Sequence, residues 1–229
     1  MRWTAAAIIL LLSRGALGAV GCTLSNPAED LKYLYPEMTS YKEEPKDLSR
    51  LKDGERIYKD LKERLGSDLD PLYEALDTPY TVYSVFKGED LVGQVHGVNV
   101  PGKGGVIQVF LSLDPKSGEV RSLFFQRLES PAAKKLRDKE FRGRFAGLSL
   151  ADFYKHDYYQ AVEPGSDKDR VAAIPDPTAG DPDFPAALRG VRKNLILMDL
   201  LVWGRRFEPF HEKAREALKA KKEKEGGKP

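Results

Sequence analysis

The chain has 229 residues, 41% hydrophobic and 31% charged, which describes one folded domain of ordinary size and excludes a disordered chain or two large domains. Its 37 Lys and Arg face 35 Asp and Glu, for a net charge of +2. There is no overall basic field, and no basic stripe interleaved with aromatics, so nucleic acid is not an expected partner.

The N-terminus reads as a targeting segment. Arg2 gives a positive start, Ala5–Leu12 an apolar core, and Leu17–Cys22 a small-residue cleavage region. That apolar run is too short to span a bilayer, and Arg14 interrupts its extension. Cys22 is the sole cysteine, so no intrachain disulfide can form. Its place after Ala19-Val20-Gly21 resembles a bacterial lipobox, in which the cysteine is acylated, although Ala19 stands where Leu is usual. Ordinary signal-peptidase cleavage before Cys22 is the alternative. The lipoprotein is preferred because a lone cysteine at that position needs a reason. Cleavage would remove Arg2 and Arg14 and bring the basic residues level with the acidic ones. The expected organisation is a signal peptide (1–21), a lipidated N-terminus and lead-in (22–48), an α+β domain (49–204), and a charged C-terminal helix and tail (205–229). The expected location is the bacterial cell envelope, on the periplasmic side of the inner or outer membrane, held by lipid without spanning the bilayer.

After an extended lead-in over Leu34–Asp47, Ile57, Leu61 and Leu65 fall four apart with Gly66 as a stop, which predicts a one-sided charged helix. Thr78–Phe86 and Leu91–Val100 flank a Lys-Gly-Glu-Asp turn and read as a hairpin. In Val106–Asp114 the residues Ile107, Val109, Leu111 and Leu113 share one face at period two, and Glu119–Leu128 returns after Pro-Lys-Ser-Gly. Ser130-Pro131 predicts the start of a helix running through Ala132–Asp138, and Ser149 the cap of another from Leu150. Leu188, Val191, Leu195 and Met198 form a helical stripe suited to covering the sheet. The fold class is α+β, an antiparallel sheet of hairpins covered by helices.

Standard catalytic constellations are mostly absent. His96, His156 and His211 are scattered, with no metal-binding spacing, and Ser149 is not in a nucleophile elbow. Gly102-Lys103-Gly104-Gly105 is neither a P-loop nor a dinucleotide fingerprint, and by itself reads as a turn.

The order of pieces is more informative. A glycine-rich turn (Gly102–Ile107), the hairpin Val109–Gln126, then Glu129-Ser130-Pro131, Asp138 with Phe141, and Arg144-Phe145-Ala146-Gly147 resembles the FMN-binding domain. That domain occurs in flavin-carrying subunits of Rnf-type and sodium-translocating NADH:quinone reductase complexes and in related exported proteins. The likeness covers roughly Leu31 to Leu201. It implies an FMN-binding-domain-like fold, with Glu129 and Ser130 facing a flavin ring, Pro131 in the same loop, and Gly104, Gly105 and the start of the last helix as walls. It also implies electron transfer, or an accessory role in a membrane redox complex, rather than a turnover enzyme. The family carries Ser-Gly-Ala-Thr-x-Thr before its last helix, and the final Thr takes FMN through a phosphoester. Here Phe184 stands near that place, and Thr178 is the only local hydroxyl. The resemblance therefore implies non-covalent FMN, with Lys103 or Arg189 as phosphate partners and Asp181 and Asp183 opposing the anion. The alternative is a flavin-free scaffold or binding lipoprotein of the same fold.

Overall fold

The computed structural model describes residues 22–66, 69–70, 73–162 and 169–226; the expected signal segment 1–21 lies outside them. The fold is α+β. Its centre is a five-stranded antiparallel sheet in chain order: β1 (Ser40–Asp47), β2 (Pro79–Lys87), β3 (Asp90–Gly102), β4 (Gly105–Leu113) and β5 (Val120–Arg127). Both expected hairpins form, with Val82 opposite His96 in one and Phe110 opposite Phe124 in the other. The stretch read as a lead-in contributes the edge strand β1. Its sequence, Ser-Tyr-Lys-Glu-Glu-Pro-Lys-Asp, has no apolar alternation because its faces are largely solvated. Charges and a proline also keep an edge from recruiting another chain.

The period-two pattern assigns the faces. Val82 of β2, Val98 and Val100 of β3, Ile107, Val109, Leu111 and Leu113 of β4, and Phe125 of β5 belong to the larger core. Over it lies α6 (Asp183–Leu201), which packs on β3 and β4. Helix α2 (Gly54–Leu65) and α5 (Leu150–Val162) pack against α6, and α7 (Glu208–Gly226) against α5. The approach of α6 is close: a Cβ on Gly190 would lie 2.7 Å from Val109 Cγ2. Leu195 is fully buried, as its place in the stripe predicts.

The second face is also covered. Tyr83, Val85, Val95 and Phe110 pack with Cys22, Leu24 and Leu31, the last from α1 (Pro27–Leu34). The segment from Cys22 is tied across the strands. Leu24 N donates to Tyr83 Oη at 3.0 Å, while Gln126 accepts from Ser25 N at 2.8 Å and donates to Thr23 O at 3.0 Å.

Two short helices replace the single one expected after Pro131: α3 (Ala133–Leu136) and α4 (Lys139–Gly143). Asp138 causes the break. Its carboxylate accepts from Glu140 N at 2.8 Å and Phe141 N at 3.4 Å, so it starts a new helix instead of continuing the old one. The pair closes the β5 edge: Arg137 donates to Phe125 O at 2.5 Å and Arg142 to Leu123 O at 3.2 Å. Ser149 does stand at the head of α5, paired through both its N–H and its hydroxyl with Asp152 Oδ2.

Replacing Leu195 with Ala should cost about 2–5 kcal/mol, the range for a leucine emptied from a packed core. Urea denaturation checks this, and a midpoint equal to that of the wild type would show that α6 is not the main cover of the sheet.

Candidate functional site

Three segments far apart in the chain meet at one end of the sheet. The β3–β4 turn reaches the loop after β5: a Cβ on Gly104 would lie 1.5 Å from Glu129 O, so only glycine fits that contact. Gly105 adopts φ +121°, in the region that favours glycine. The same turn reaches the head of α6, where Asp183 Oδ1 accepts from Lys103 N at 2.7 Å and Lys103 Nζ lies 3.8 Å from Asp181 Oδ2. Gly104, Gly105, Glu129 and Asp183 are thus brought together, along with Ser130 and Pro131 of the same loop.

The side chains differ in availability. Glu129 is exposed and pairs with Arg127 Nε at 3.0 Å. The Ser130 hydroxyl oxygen accepts from Ala132 N at 3.0 Å within the loop; the N-cap of α3 is Ala132 and has no side-chain capping bond, so Ser130 is not the cap its place before Pro131 predicts. Pro131 is exposed. Asp183 is only 1% exposed, and its Oδ2 has no hydrogen-bond partner among the described residues. A buried acceptor of that kind suits an N–H or O–H donor and opposes a phosphate.

Thr178 belongs to a tight turn. Its hydroxyl donates to Asp176 Oδ1 at 2.5 Å and accepts from Asp181 N at 3.0 Å. Phe184 packs edge-on against Phe141, with centroids 6.1 Å apart, and so serves the core. Arg189 lines a different groove of about 590 Å³, with Arg64, Asp157 and Arg192.

Cys22 is buried, and burial pushes its thiol up to about 12. At neutral pH the docked cysteine holds its proton and is a poor nucleophile. It lines a small cavity with Glu74, Tyr80 and Asn99 at the end of the sheet.

Sequence reasoning missed a buried polar layer between α6 and the sheet. Lys193 Nζ donates to Asn99 O at 2.6 Å, pairs with Glu74, and lies 5.6 Å from the centroid of the Tyr73 ring. Burial raises the Glu74 carboxyl in spite of that cation. One residue on, Asn194 Nδ2 donates to His96 O at 2.7 Å, which turns its carbonyl oxygen toward His96 Nδ1 at 3.1 Å. The Nδ1 of His96 therefore donates, and its Nε2 has no hydrogen-bond partner among the described residues, which together with burial favours the neutral ring. The signal available in the sequence was a lysine and an asparagine set inside an apolar helix. The other histidines lie apart: His156 pairs with Asp169 at 2.5 Å, and His211 sits 5.3 Å from the Tyr154 ring. Among the described residues no group of three or more His, Cys, Asp or Glu could hold a metal ion, and no helix is long and apolar enough to cross a membrane.

Burial lowers the His96 pKa from 6.5 to about 4. The unfolded chain takes up a proton at higher pH than the fold does, so this contribution to stability is present above the unfolded value. It is lost as pH falls from there toward the folded one. For such a shift the loss should be about 2 kcal/mol between about pH 7.5 and about pH 5. Chemical denaturation across that range should show a slope that flattens in His96→Gln; an equal slope in both proteins would mean that His96 is not held neutral.

No protein-family model matches the chain, and a comparison with curated proteins finds no significant match.

Proposed function

We propose that this chain is an exported, lipid-anchored domain of the FMN-binding type, serving electron transfer or acting as an accessory to a membrane redox complex. The observation that carries the reading is the convergence of the Gly102–Gly105 turn, the Glu129–Pro131 loop and the head of α6 at one corner. These are the pieces whose order resembles that family.

Bound FMN would supply reversible electron transfer, and the chain would supply position and polarity. The acceptors at the corner fit the neutral parts of such a molecule. Asp183 Oδ2 would take a ribityl hydroxyl, and Glu129 would take an N–H of the ring. Phe184 offers no oxygen for a phosphoester, and Asp181 and Asp183 disfavour a phosphate beside it, so the flavin is held without a covalent bond. A second reading has its own observation. Gly104 lies against the Glu129 carbonyl with no room for a methyl group, so turn and loop support each other directly. A flavin-free scaffold would keep that contact.

Lipid at Cys22 would join the domain to a membrane with almost no spacer, because Thr23, Leu24 and Ser25 are already bonded to the sheet. A lipid on the Cys22 sulfur would require that side chain to leave the buried place it takes here, since the docked thiol is packed in the core and protonated.

The visible absorption spectrum of the purified protein, before and after acid precipitation, tests the cofactor. Flavin bands that leave with the supernatant are expected; bands retained in the pellet would contradict non-covalent binding, and no bands would favour the scaffold. For the anchor, Cys22→Ser should move the protein from the membrane fraction to the soluble periplasmic fraction. Wild-type protein already found in the soluble fraction would end the lipoprotein reading.

A further inference from the structure

Residues Lys134 to Arg144 carry six basic side chains and two acidic ones. Arg137 and Arg142 are used in closing the β5 edge. Lys134, Lys135 and Arg144 instead line a groove of about 530 Å³ between α3–α4 and the segment Pro175–Pro177. That volume lies within the usual range for small-molecule sites.

The groove has an aromatic lining. Phe141 lies in its wall, buried and held edge-on by Phe145 at 5.4 Å and Phe184 at 6.1 Å. Pro175 and Pro177 form the opposite side. Prolines have no N–H, so Pro175 and Pro177 offer an anion no backbone donor and leave its binding to the cations.

The nearby acids are mostly committed. Asp138 caps α4, and Asp176 accepts from Thr178 N at 2.7 Å and Gly180 N at 2.8 Å. Glu140 pairs with Arg144 at 2.7 Å, but the two side chains are 79% and 52% exposed, and a pair so open is readily exchanged. Lys134 and Lys135 are exposed and make no ion pair among the described residues, although against desolvation the bonds from Thr178 and Gly180 and the charge of Lys135 hold the Asp176 carboxyl down.

We infer that this groove binds a flat aromatic ring bearing a phosphate, with the ring against Phe141 and the prolines and the phosphate on Lys134, Lys135 and Arg144. Three cations, one of them a planar guanidinium, match the several acceptor oxygens of a phosphate dianion. FMN is one member of this class. For that ligand the inference rests on the flavin reading and places the ring in the groove instead of at the corner of Glu129 and Asp183, where Asp181 and Asp183 oppose a phosphate.

Phenyl phosphate keeps the two questions apart. Titrated into the isotope-labelled full chain and followed by amide shifts, it should give saturable changes confined to residues near 133–144 and 174–178. Phenol, which lacks the phosphate, should give none. Affinity should fall at least about tenfold in the Lys134→Glu/Lys135→Glu double variant, whose altered side chains are exposed. Equal affinity in the variant, shifts centred elsewhere, or inorganic phosphate binding as tightly as phenyl phosphate would overturn the inference. FMN is titrated in parallel. Phenyl phosphate binding without FMN binding keeps the groove and ends the flavin reading. FMN binding that the double variant leaves unchanged keeps the flavin and rejects the groove as its phosphate site.

Discussion

The placement of α6 governs the rest of the structure. A helix of nineteen residues that is buried along most of its length gains from apolar contact with the sheet, but contact alone would let it slide or rotate. Lys193, Asn194 and Asp199 remove that freedom, because each is buried and each must find a partner. Lys193 is met by Glu74 and the Asn99 carbonyl, Asn194 by His96, and Asp199 by Arg64 at 3.1 Å together with the N–H of Phe207 at 3.1 Å. Buried ion pairs of this kind add little net stability over an apolar replacement, whereas removing one partner costs about 3–5 kcal/mol. Their effect is to fix one register of α6 against β3, α2 and the start of α7.

That register reaches the candidate site. With α6 fixed along its middle, its head is held where Asp183 accepts from the backbone of the β3–β4 turn. The turn in turn lies against the carbonyl of Glu129. The corner therefore owes its geometry to contacts between backbone, turn and helix end, and hardly at all to the side chains that face outward. Those side chains can vary without moving the corner, so a fold of this kind can change its ligand or lose it while keeping its shape.

Sequence periodicity reveals what repeats and misses what occurs once. Strand β4 follows from alternation, β2 and β3 from runs of β-branched and aromatic residues about a turn, β5 from its return after the second turn, and the α6 stripe from spacings of three and four residues. Strand β1 escapes that test, since an edge strand with solvated faces has no reason to alternate. The cover over the second face escapes it too: Cys22, Leu24 and Leu31 are isolated apolar residues in a polar stretch, and their burial depends on where Tyr83 and Gln126 lie. The site divides in the same way. The turn and loop are visible as motifs, but their contact through Gly104, the unpartnered oxygen of Asp183 and the Lys193–Glu74 pair arise from packing between distant segments.

The basic run after Pro131 shows how one composition can carry two tasks. A sheet that ends at β5 leaves outward carbonyls that need donors, and Arg137 and Arg142 supply them through long, forked side chains. Lysine would serve less well there, because its single ammonium does not brace two elements at once. The residues given over to the groove follow the opposite logic. Lys134 and Lys135 stand on α3, exposed and without an ion pair among the described residues, with Asp176 within the field of Lys135, beside an aromatic surface that Phe145 and Phe184 keep rigid. Asp138 makes the division possible: by ending one short helix and capping the next, it turns the chain so that Arg137 and Arg142 reach the sheet while Lys134, Lys135 and Arg144 line the groove. An unbroken helix across this stretch would have set Arg137 and Arg142 more than one turn apart on different faces, and the β5 carbonyls would have kept at most one of their two donors.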